Sequence, residues 1–263
     1  MPSEPAMRFL ADPFGLWRGG VLHVFAEAYD YRTRHGVIDH LALASEGDVV
    51  ARETVLAEPW HLSYPILVED EGETWMLPEA WRSGAAWLYR AADFPRRWER
   101  ACPIMLDAVP VDATPFKYEG RWWLFYSPAR RDALHAAFAD RIVGPWRAHP
   151  LNPLRVGAGG SRPGGTPAIV DGRLVLPVQD GSRTYGGAVR PLAINRLTPD
   201  RFEATLGSPI VAPAALAPYT DGLHTLAGAG DVTLIDTKRV VLSARSLGVL
   251  AARSLRGRAA ARQ

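Results

Sequence analysis

One pattern restricts the fold of this chain more than any other: a strand–turn–strand unit returns about every fifty residues. Three segments combine a proline, an apolar run, an acidic-Gly turn and a second apolar run: YPILVEDEGETWMLPEA (64–80), TPFKYEGRWWLFYSPA (114–129) and TPAIVDGRLVLPVQDG (166–181). DPFGLWRGGVLHVFAEA (12–28) follows the plan more loosely, and the prolines at 13, 65, 115 and 167 are 52, 50 and 52 residues apart. A fifth step reaches YTDGLHTLAGAGDVTLID near Tyr219. Five units therefore account for the chain.

A period of this length is typical of propellers and solenoids. The apolar runs are short and bounded by Gly or Asp-Gly turns, as strands are, and 86–98 and 133–150 offer third and fourth strands. The 24 Gly and 22 Pro interrupt nearly every window long enough for a helix, which disfavours a helical solenoid. A β-sandwich is the competing all-β fold, but it does not explain the period. The sequence predicts a five-bladed β-propeller with four-stranded antiparallel blades over residues 8–240.

Composition limits the setting of the protein. With 263 residues, 48% of them hydrophobic, the chain can bury a substantial core. It has no apolar run of transmembrane length, and its N-terminus lacks the pattern of a secretory signal. A single cysteine, Cys102, fits a reducing compartment, so a cytoplasmic location is expected.

The C-terminal segment 241–263 is basic. From Thr237 to Gln263 there are seven Lys or Arg and no acid. The pattern predicts a short helix. It could be amphipathic and bind an anionic membrane surface or a nucleic acid, or it could be a terminal helix that is solvated or docked on the domain. No aromatic-basic pattern or zinc knuckle indicates nucleic acid, so no nucleic-acid partner is predicted.

Propeller geometry predicts where the polar residues meet. The start of the first strand and the end of the second strand of each blade share one face. Strand starts carry Asp12, Tyr64, Asp112, Thr114 and Thr166, and strand-two ends carry Glu27, Glu79, Ser127, Gln179 and Asp180. Five acids distant in sequence are thus expected around one mouth of the channel, although Asp and Ser also form turns at strand ends.

Carboxylates around a concave mouth suit carbohydrate chemistry. Cleavage of a glycosidic bond needs an acid on the leaving oxygen and a base or nucleophile on the other face of the sugar. Crowding of carboxylates keeps one of them protonated near neutral pH. Trp81, Trp122 and Trp123 are available for sugar faces, although the last two equally suit packing within a blade.

Three loops add candidate binding residues. EPWHLSYP (58–65) brings His61 and Tyr64 to the second blade, and DGLHTL brings His224 to the fifth. GAGGSRPGGTP (157–167) carries Arg162, which would hold either a carboxylate or a phosphate. No G-x-S-x-G, C-x-x-C or H-E-x-x-H motif occurs, so no metal or cofactor is predicted. The abundant oxygen ligands leave a structural calcium ion in the channel open.

Several motifs carry a family resemblance. ADPF, EPWHLSYP, WMLPEA, GPWRAHPLNP and VQDGSRTYGGAV resemble the N-terminal domain of plant glucosamine inositolphosphorylceramide transferases and its bacterial relatives. The resemblance runs from about Asp12 to Lys238. That domain is in turn similar to the five-bladed propellers of glycoside hydrolase families 43, 62, 32 and 68.

The resemblance implies catalytic roles. In those hydrolases an Asp of the first blade is base or nucleophile, a mid-propeller Asp tunes acidity, and a Glu is the acid. Asp12 and Asp112 match the first two by motif. Glu79 is the candidate acid, although it ends a second strand, whereas the hydrolases place the Glu at a later blade entrance.

Three functions remain open at this point. The first is a glycosidase-like hydrolase or transglycosylase acting on a glycan or glycolipid precursor through Asp12, Glu79 and Asp112. Its substrate would contact Glu27, His61, Tyr64, Arg162, Gln179, Asp180 and His224. The second is a non-catalytic sugar-binding or scaffold module that serves a separate glycosyltransferase. The third is a glycosyl- or phosphoryl-transferring enzyme with Arg162 on the phosphate.

Overall fold

Four-stranded antiparallel sheets make up the first half of the chain. The computed structural model describes residues 4–44 and 47–240. The first sheet, blade 1, consists of β1 (Arg8–Arg18), β2 (Val21–Asp30), β3 (His35–Leu43) and β4 (Val49–Leu56). Blade 2 consists of β5 (Ser63–Asp70), β6 (Glu73–Glu79), β7 (Ala86–Asp93) and β8 (Arg97–Ile104), with a 3-10 turn at Trp81–Ser83. In both blades the strands pair in sequence order, as consecutive hairpins do.

The next two blades each contain one interrupted strand. Blade 3 consists of β9 (Pro110–Tyr118), β10 (Arg121–Pro128), β11 (Ala133–Ala139), β12 (Arg147–Ala148) and β13 (Arg155–Val156). Its outer strand is split because two prolines fall between β12 and β13, and Asn152 there bonds the backbone N–H and C=O of Ala136. Blade 4 consists of β14 (Gly159–Pro163), β15 (Ala168–Val170), β16 (Arg173–Asp180), β17 (Ala188–Thr198) and β18 (Arg201–Leu206).

The fifth unit is smaller than predicted. It forms a two-stranded sheet of β19 (Gly222–Ala229) and β20 (Val232–Lys238), preceded by a 3-10 turn at Ala214–Leu216. The described residues thus hold four blades rather than five, because strand pairing in the fifth unit ends at Lys238. The helix predicted in 241–263 lies outside the described residues.

The sheets close into a ring around a central channel. A separate apolar cluster joins each neighbouring pair, and examples are Phe25–Met76, Leu88–Trp122, Trp123–Leu176, Val189–Leu223 and Val24–Ala229. The two-stranded sheet lies between blade 4 and blade 1, and the Trp17 indole N–H donates to the Ala229 carbonyl at 3.0 Å. Trp122 and Trp123 are both buried, on opposite faces of β10, because alternate residues of a strand point to opposite sides. The all-β, propeller-like prediction is therefore confirmed. Within the described ranges, no helix is long and apolar enough to cross a membrane.

The proline spacing predicted the wrong alignment of the third unit with the first two. In blades 1 and 2 the register shifts at 12–13 and 64–65, opposite the second strand. In blade 3 the corresponding shift is at 112–113, so Ala113 occupies the position of Pro13 and Pro65. Pro115 lies two residues further along, which means that the true steps between equivalent positions are 52 and 48.

Candidate functional site

A bulge at the mouth of each of the first three blades sets the direction of one side chain. Asp12, Tyr64 and Asp112 occupy equivalent bulge positions and have positive φ angles of 48°, 47° and 49°. Such backbone costs of order 1–3 kcal/mol for a non-glycine residue and tends to occur at functional sites. A bulge also turns a side chain away from the regular strand alternation. The bulges place the side chains of Asp12 and Asp112 at the channel mouth. There each carboxylate pairs with a residue from another blade.

Asp12 forms an ion pair across the ring closure. Its Oδ1 lies 3.1 Å from Nδ1 of His224, which is also 3.5 Å from Oδ2 of Asp236. The Asp12 backbone N–H donates to the same Asp236 carboxylate at 3.2 Å. Burial disfavours a charged imidazole, but the two acids outweigh it and hold the pKa of His224 well above its usual value. Burial also raises the pKa of Asp12, against the opposing effect of His224. The result is an imidazolium held between two acids.

Asp112 is held by fixed donors. Arg162 Nε donates to Asp112 Oδ2 at 2.5 Å, and Gln179 Nε2 donates to the same oxygen at 2.6 Å. Gln179 also donates to the Pro163 carbonyl at 2.7 Å, so its amide orientation is fixed. Although burial opposes the charge of Arg162, Asp112 outweighs it and raises the pKa of the guanidinium. Arg162 therefore holds a carboxylate, one of the two alternatives predicted from its loop.

Glu79 has a proton affinity close to neutrality. The carboxyl group accepts from Ser63 Oγ at 3.1 Å and from the Trp81 backbone N–H at 2.7 Å. Burial, together with the negative charge of Asp112, raises the pKa of Glu79 to about 7, and the two hydrogen bonds and Arg162 oppose this rise. At neutral pH Glu79 is therefore close to half protonated.

Glu27 and His61 face each other on the same side of the mouth. His61 Nε2 lies 3.6 Å from Glu27 Oε1, and His61 Nδ1 accepts the Gly36 backbone N–H at 2.9 Å. A nitrogen that accepts carries no proton, so the imidazole proton is on Nε2. Burial and the charge of Arg82 lower the pKa of His61 to about 4. Burial and Asp12 raise the pKa of Glu27 well above its usual value, which favours its protonated form.

A cavity of about 290 Å³ opens over these groups. Its lining combines acids, arginines, aromatic rings and small polar residues: Phe9, Asp12, Glu27, Tyr29, Arg34, His61, Ser63, Glu79, Trp81, Arg82, Arg162 and Tyr185. Five predicted site residues are in this set: Asp12, Glu27, His61, Glu79 and Arg162. The hydrogen-bond partner of Arg162, Asp112, lies immediately behind the lining.

Other predicted binding residues have different positions. Tyr64 is fully buried, and its hydroxyl bonds Thr114 at 3.0 Å and the Gly165 N–H at 2.8 Å, so it ties blade 2 to blades 3 and 4 instead of lining the cavity. Asp180 bonds Ser182 and lies outside the lining. Gln179 and His224 do not line the cavity. Gln179 bonds Asp112, and His224 pairs with Asp12.

Sequence reasoning missed several residues of the site. Asp236 lies in β20, opposite the bulge of β19 and one residue before Thr237, which holds the register position of Glu27 and Glu79, so the repeat did not indicate it. Arg34, Arg82 and Tyr185 come from loops outside the repeated strands. No periodic signal marks such positions.

One group of side chains could hold a metal ion. Asp12, His224 and Asp236 each offer a ligand atom, and these atoms lie within 4.8 Å of one another. The trio is already balanced as an imidazolium between two acids, so a cation would have to displace the imidazole proton.

The fold defines a structural class: it is a β-propeller fold that is also found in glycoside hydrolases. A glycosyl hydrolase from Bacteroides ovatus matches with a TM-score of 0.66 at 12% identity, covering 88% of this chain and 81% of that one. Zg3597, a family 117 glycoside hydrolase from Zobellia galactanivorans, matches with a TM-score of 0.61 at 16% identity, covering 81% of this chain and 73% of that one. At such identities the similarity concerns the fold.

Within this class, the sequence identifies the family. The chain belongs to the family described as glucosamine inositolphosphorylceramide transferase 1, N-terminal, whose model matches residues 2–213. It is 33% identical over 204 residues to glucosamine inositolphosphorylceramide transferase 1 of Oryza sativa subsp. indica, covering 74% of this chain and 27% of the relative. The Arabidopsis thaliana protein of that name is 31% identical over 203 residues, covering 74% of this chain and 26% of the relative. The chain thus spans about a quarter of the length of these relatives.

Proposed function

We propose that the cavity binds a carbohydrate and that Glu79 and Asp12 cleave or transfer its glycosidic bond. One observation carries the proposal: two carboxyl groups with different proton environments line a single cavity. Environments that separate two acids in this way assign the acid and the base of a glycosidase.

Glu79 would be the general acid. An acid works best when its pKa is near the working pH, because it then holds a proton and still gives it up readily. With a pKa of about 7, Glu79 meets that condition. Its hydrogen bonds with Ser63 and the Trp81 backbone hold the carboxyl group in place while it protonates the leaving oxygen.

Asp12 would be the base or nucleophile. Burial raises the pKa of Asp12, which makes its carboxylate a stronger base, and the imidazolium of His224 at 3.1 Å favours the anionic form. Asp12 would either attack the anomeric carbon or take a proton from an attacking water. Asp112, fixed by Arg162, would set the field around Glu79 rather than react.

Aromatic rings at the mouth fit the sugar. Phe9 and Tyr29 stack with ring centroids 4.9 Å apart, and both line the cavity together with Trp81 and Tyr185. Flat apolar faces beside hydrogen-bonding groups are the usual surroundings of a ligand in a polar cleft. The fold similarity to glycoside hydrolases and the family membership support the same ligand class.

Turnover of aryl glycosides tests the mechanism. A panel of nitrophenyl glycosides should give slow release with the wild type and a loss of about a hundredfold or more with Asp12→Asn and Glu79→Gln, since each removes one half of the acid–base pair. Asp231→Asn and Glu99→Gln, at exposed positions, are the matched controls. Full activity in Asp12→Asn would refute the mechanism.

A second candidate is a sugar-binding module that serves a separate transferase. It is favoured by the chain spanning about a quarter of the length of its plant relatives, because the transfer that their name describes can belong to their remaining length. Binding of glycans by the wild type and Asp12→Asn alike, without aryl glycoside release or nucleotide-sugar consumption, would support this function over the first.

A further inference from the structure

Two arginines of the cavity lining have no acidic ion-pair partner among the residues that the structure describes. The lining carries three arginines, and Arg162 is paired with Asp112. Arg34 and Arg82 make no ion pair with any residue in 4–44 or 47–240. Of the three acids in the lining, Asp12 is engaged with His224, Glu79 with hydroxyl and amide donors, and Glu27 lies beside His61.

Both arginines line the cavity together with His61. Arg34 is in the turn between β2 and β3, two residues before Gly36, whose backbone N–H donates to His61 Nδ1. Arg82 follows β6 and is near enough for its charge to act on His61. Arg82 also lies 5.8 Å from the ring of Trp81, and Arg130 approaches that ring from blade 3 at 5.5 Å. Positive charge is therefore concentrated where blades 1 and 2 meet the cavity.

His61 completes a wall of donors. Its Nε2 carries the imidazole proton, and Glu27 Oε1 is 3.6 Å away, beyond hydrogen-bonding distance. The side chains of Arg34, Arg82 and His61 thus offer N–H groups and no negative charge to one side of the cavity. Two guanidiniums that line one cavity repel each other, and an oxyanion bound there would relieve that repulsion.

We propose that Arg34, Arg82 and His61 form an oxyanion subsite and that the ligand of this cavity carries a phosphate or carboxylate group. The carbohydrate part of this inference rests on the proposed function, whereas the oxyanion part does not. The subsite is separate from Arg162, whose guanidinium is committed to Asp112.

Titration with inorganic phosphate tests the subsite directly. At constant ionic strength, phosphate should bind the wild-type protein. Binding can be measured by calorimetry or by the fluorescence of Trp81, which precedes Arg82. Arg34→Gln/Arg82→Gln should weaken binding by about tenfold or more, since each substitution removes a charged donor to the oxyanion. Arg97→Gln/Arg173→Gln is the control. These two exposed arginines begin β8 and β16, at the ends of the strands that lie away from the cavity mouth, and this variant should bind phosphate as the wild type does. Equal binding by the two double variants, or no binding by the wild type, would overturn the subsite.

A spectroscopic readout separates binding at the subsite from a structural effect. Phosphate would neutralise the charge that now disfavours the imidazolium, so the pKa of His61, measured by NMR, should rise from about 4 when phosphate is present. Arg34→Lys/Arg82→Lys should retain this response because both charges remain. An unchanged His61 titration in saturating phosphate would contradict the assignment.

Sugar ligands then identify the oxyanion. Glucose 6-phosphate, glucuronate and glucose compare a phosphate, a carboxylate and a neutral group at C6 of the same sugar ring. Preference for the first or the second assigns the group, and equal binding of all three overturns the inference. Failure of aryl glycoside cleavage with intact, arginine-dependent phosphate binding would reject the proposed mechanism but leave the subsite standing.

Discussion

Asp12 and Asp112 share a backbone position but differ in partners. They have φ angles of 48° and 49° and are only 3% and 2% exposed. Asp12 faces a histidine, which loses its proton as the pH rises through its raised pKa, whereas Asp112 faces an arginine, which keeps its proton. The repeat thus reproduces the position of a carboxylate, and the neighbouring blade decides its chemistry. We expect the Asp12 region to respond to pH and the Asp112 region to act as a fixed charge.

The largest effect should come from removing the fixed cation. Arg162→Met leaves the buried Asp112 charge without its ion-pair partner, so the free energy of unfolding should fall by about 3 kcal/mol in urea denaturation. Arg173→Met is the control on an exposed arginine. Adding Asp112→Asn to Arg162→Met should recover part of the loss, because no buried charge then remains unpaired. A further loss of stability in the double variant would contradict this explanation.

Glu79 connects the two regions, because Asp112 raises its pKa. Since the pKa of Glu79 in the folded protein is about 7, above its ordinary 4.5, its protonation stabilises the fold. This stability is fully present below pH 4.5 and is lost as the pH rises through 7. Relative to Glu79→Gln, the wild type should lose about 3 kcal/mol of unfolding free energy between those pH values. Glu99→Gln should follow the wild type, and parallel curves for wild type and Glu79→Gln would show an unperturbed carboxyl group.

His224 should make the unfolding free energy depend on pH at values above those at which Glu79 titrates. The pKa of His224 is raised in the folded protein, so its contribution is full below its ordinary value of 6.5 and disappears as the pH rises through the raised value. His224→Gln should lower the unfolding free energy by about 2 kcal/mol at pH 6 and by less at pH 9. The deficit of Arg162→Met should stay constant over that range. If the loss of unfolding free energy in His224→Gln were also constant between pH 6 and 9, the proposed contrast between the two aspartates would be wrong.

The smallest effect concerns Tyr64, the third residue in the shared bulge position. Tyr64→Phe removes the acceptor of the Gly165 N–H and should cost about 1–2 kcal/mol of stability. Glycan or phosphate affinity should not change, because Tyr64 is fully buried away from the cavity. Tyr185→Phe, at the cavity lining, offers the comparison. A selective loss of ligand affinity in Tyr64→Phe would restore Tyr64 as a binding residue.

The sequence alone determined the strand–turn–strand repeat, the all-β class and the gathering of Asp12, Glu27 and Glu79 at one mouth. These follow from short-range patterns, because alternation and turn residues fix where a strand starts and ends. The proline spacing failed in the third unit because the bulge, not the proline, is the repeated feature.

Only the tertiary structure decided which charges meet. Asp12 bonds Asp236, 224 residues away, Asp112 bonds Arg162, 50 residues away, and Arg34 and Arg82 remain without an acid among the described residues. Such pairs depend on how neighbouring sheets face one another after the ring has closed. A period in the sequence describes each unit but carries no information about the loops that project between units, and those loops supply the arginines.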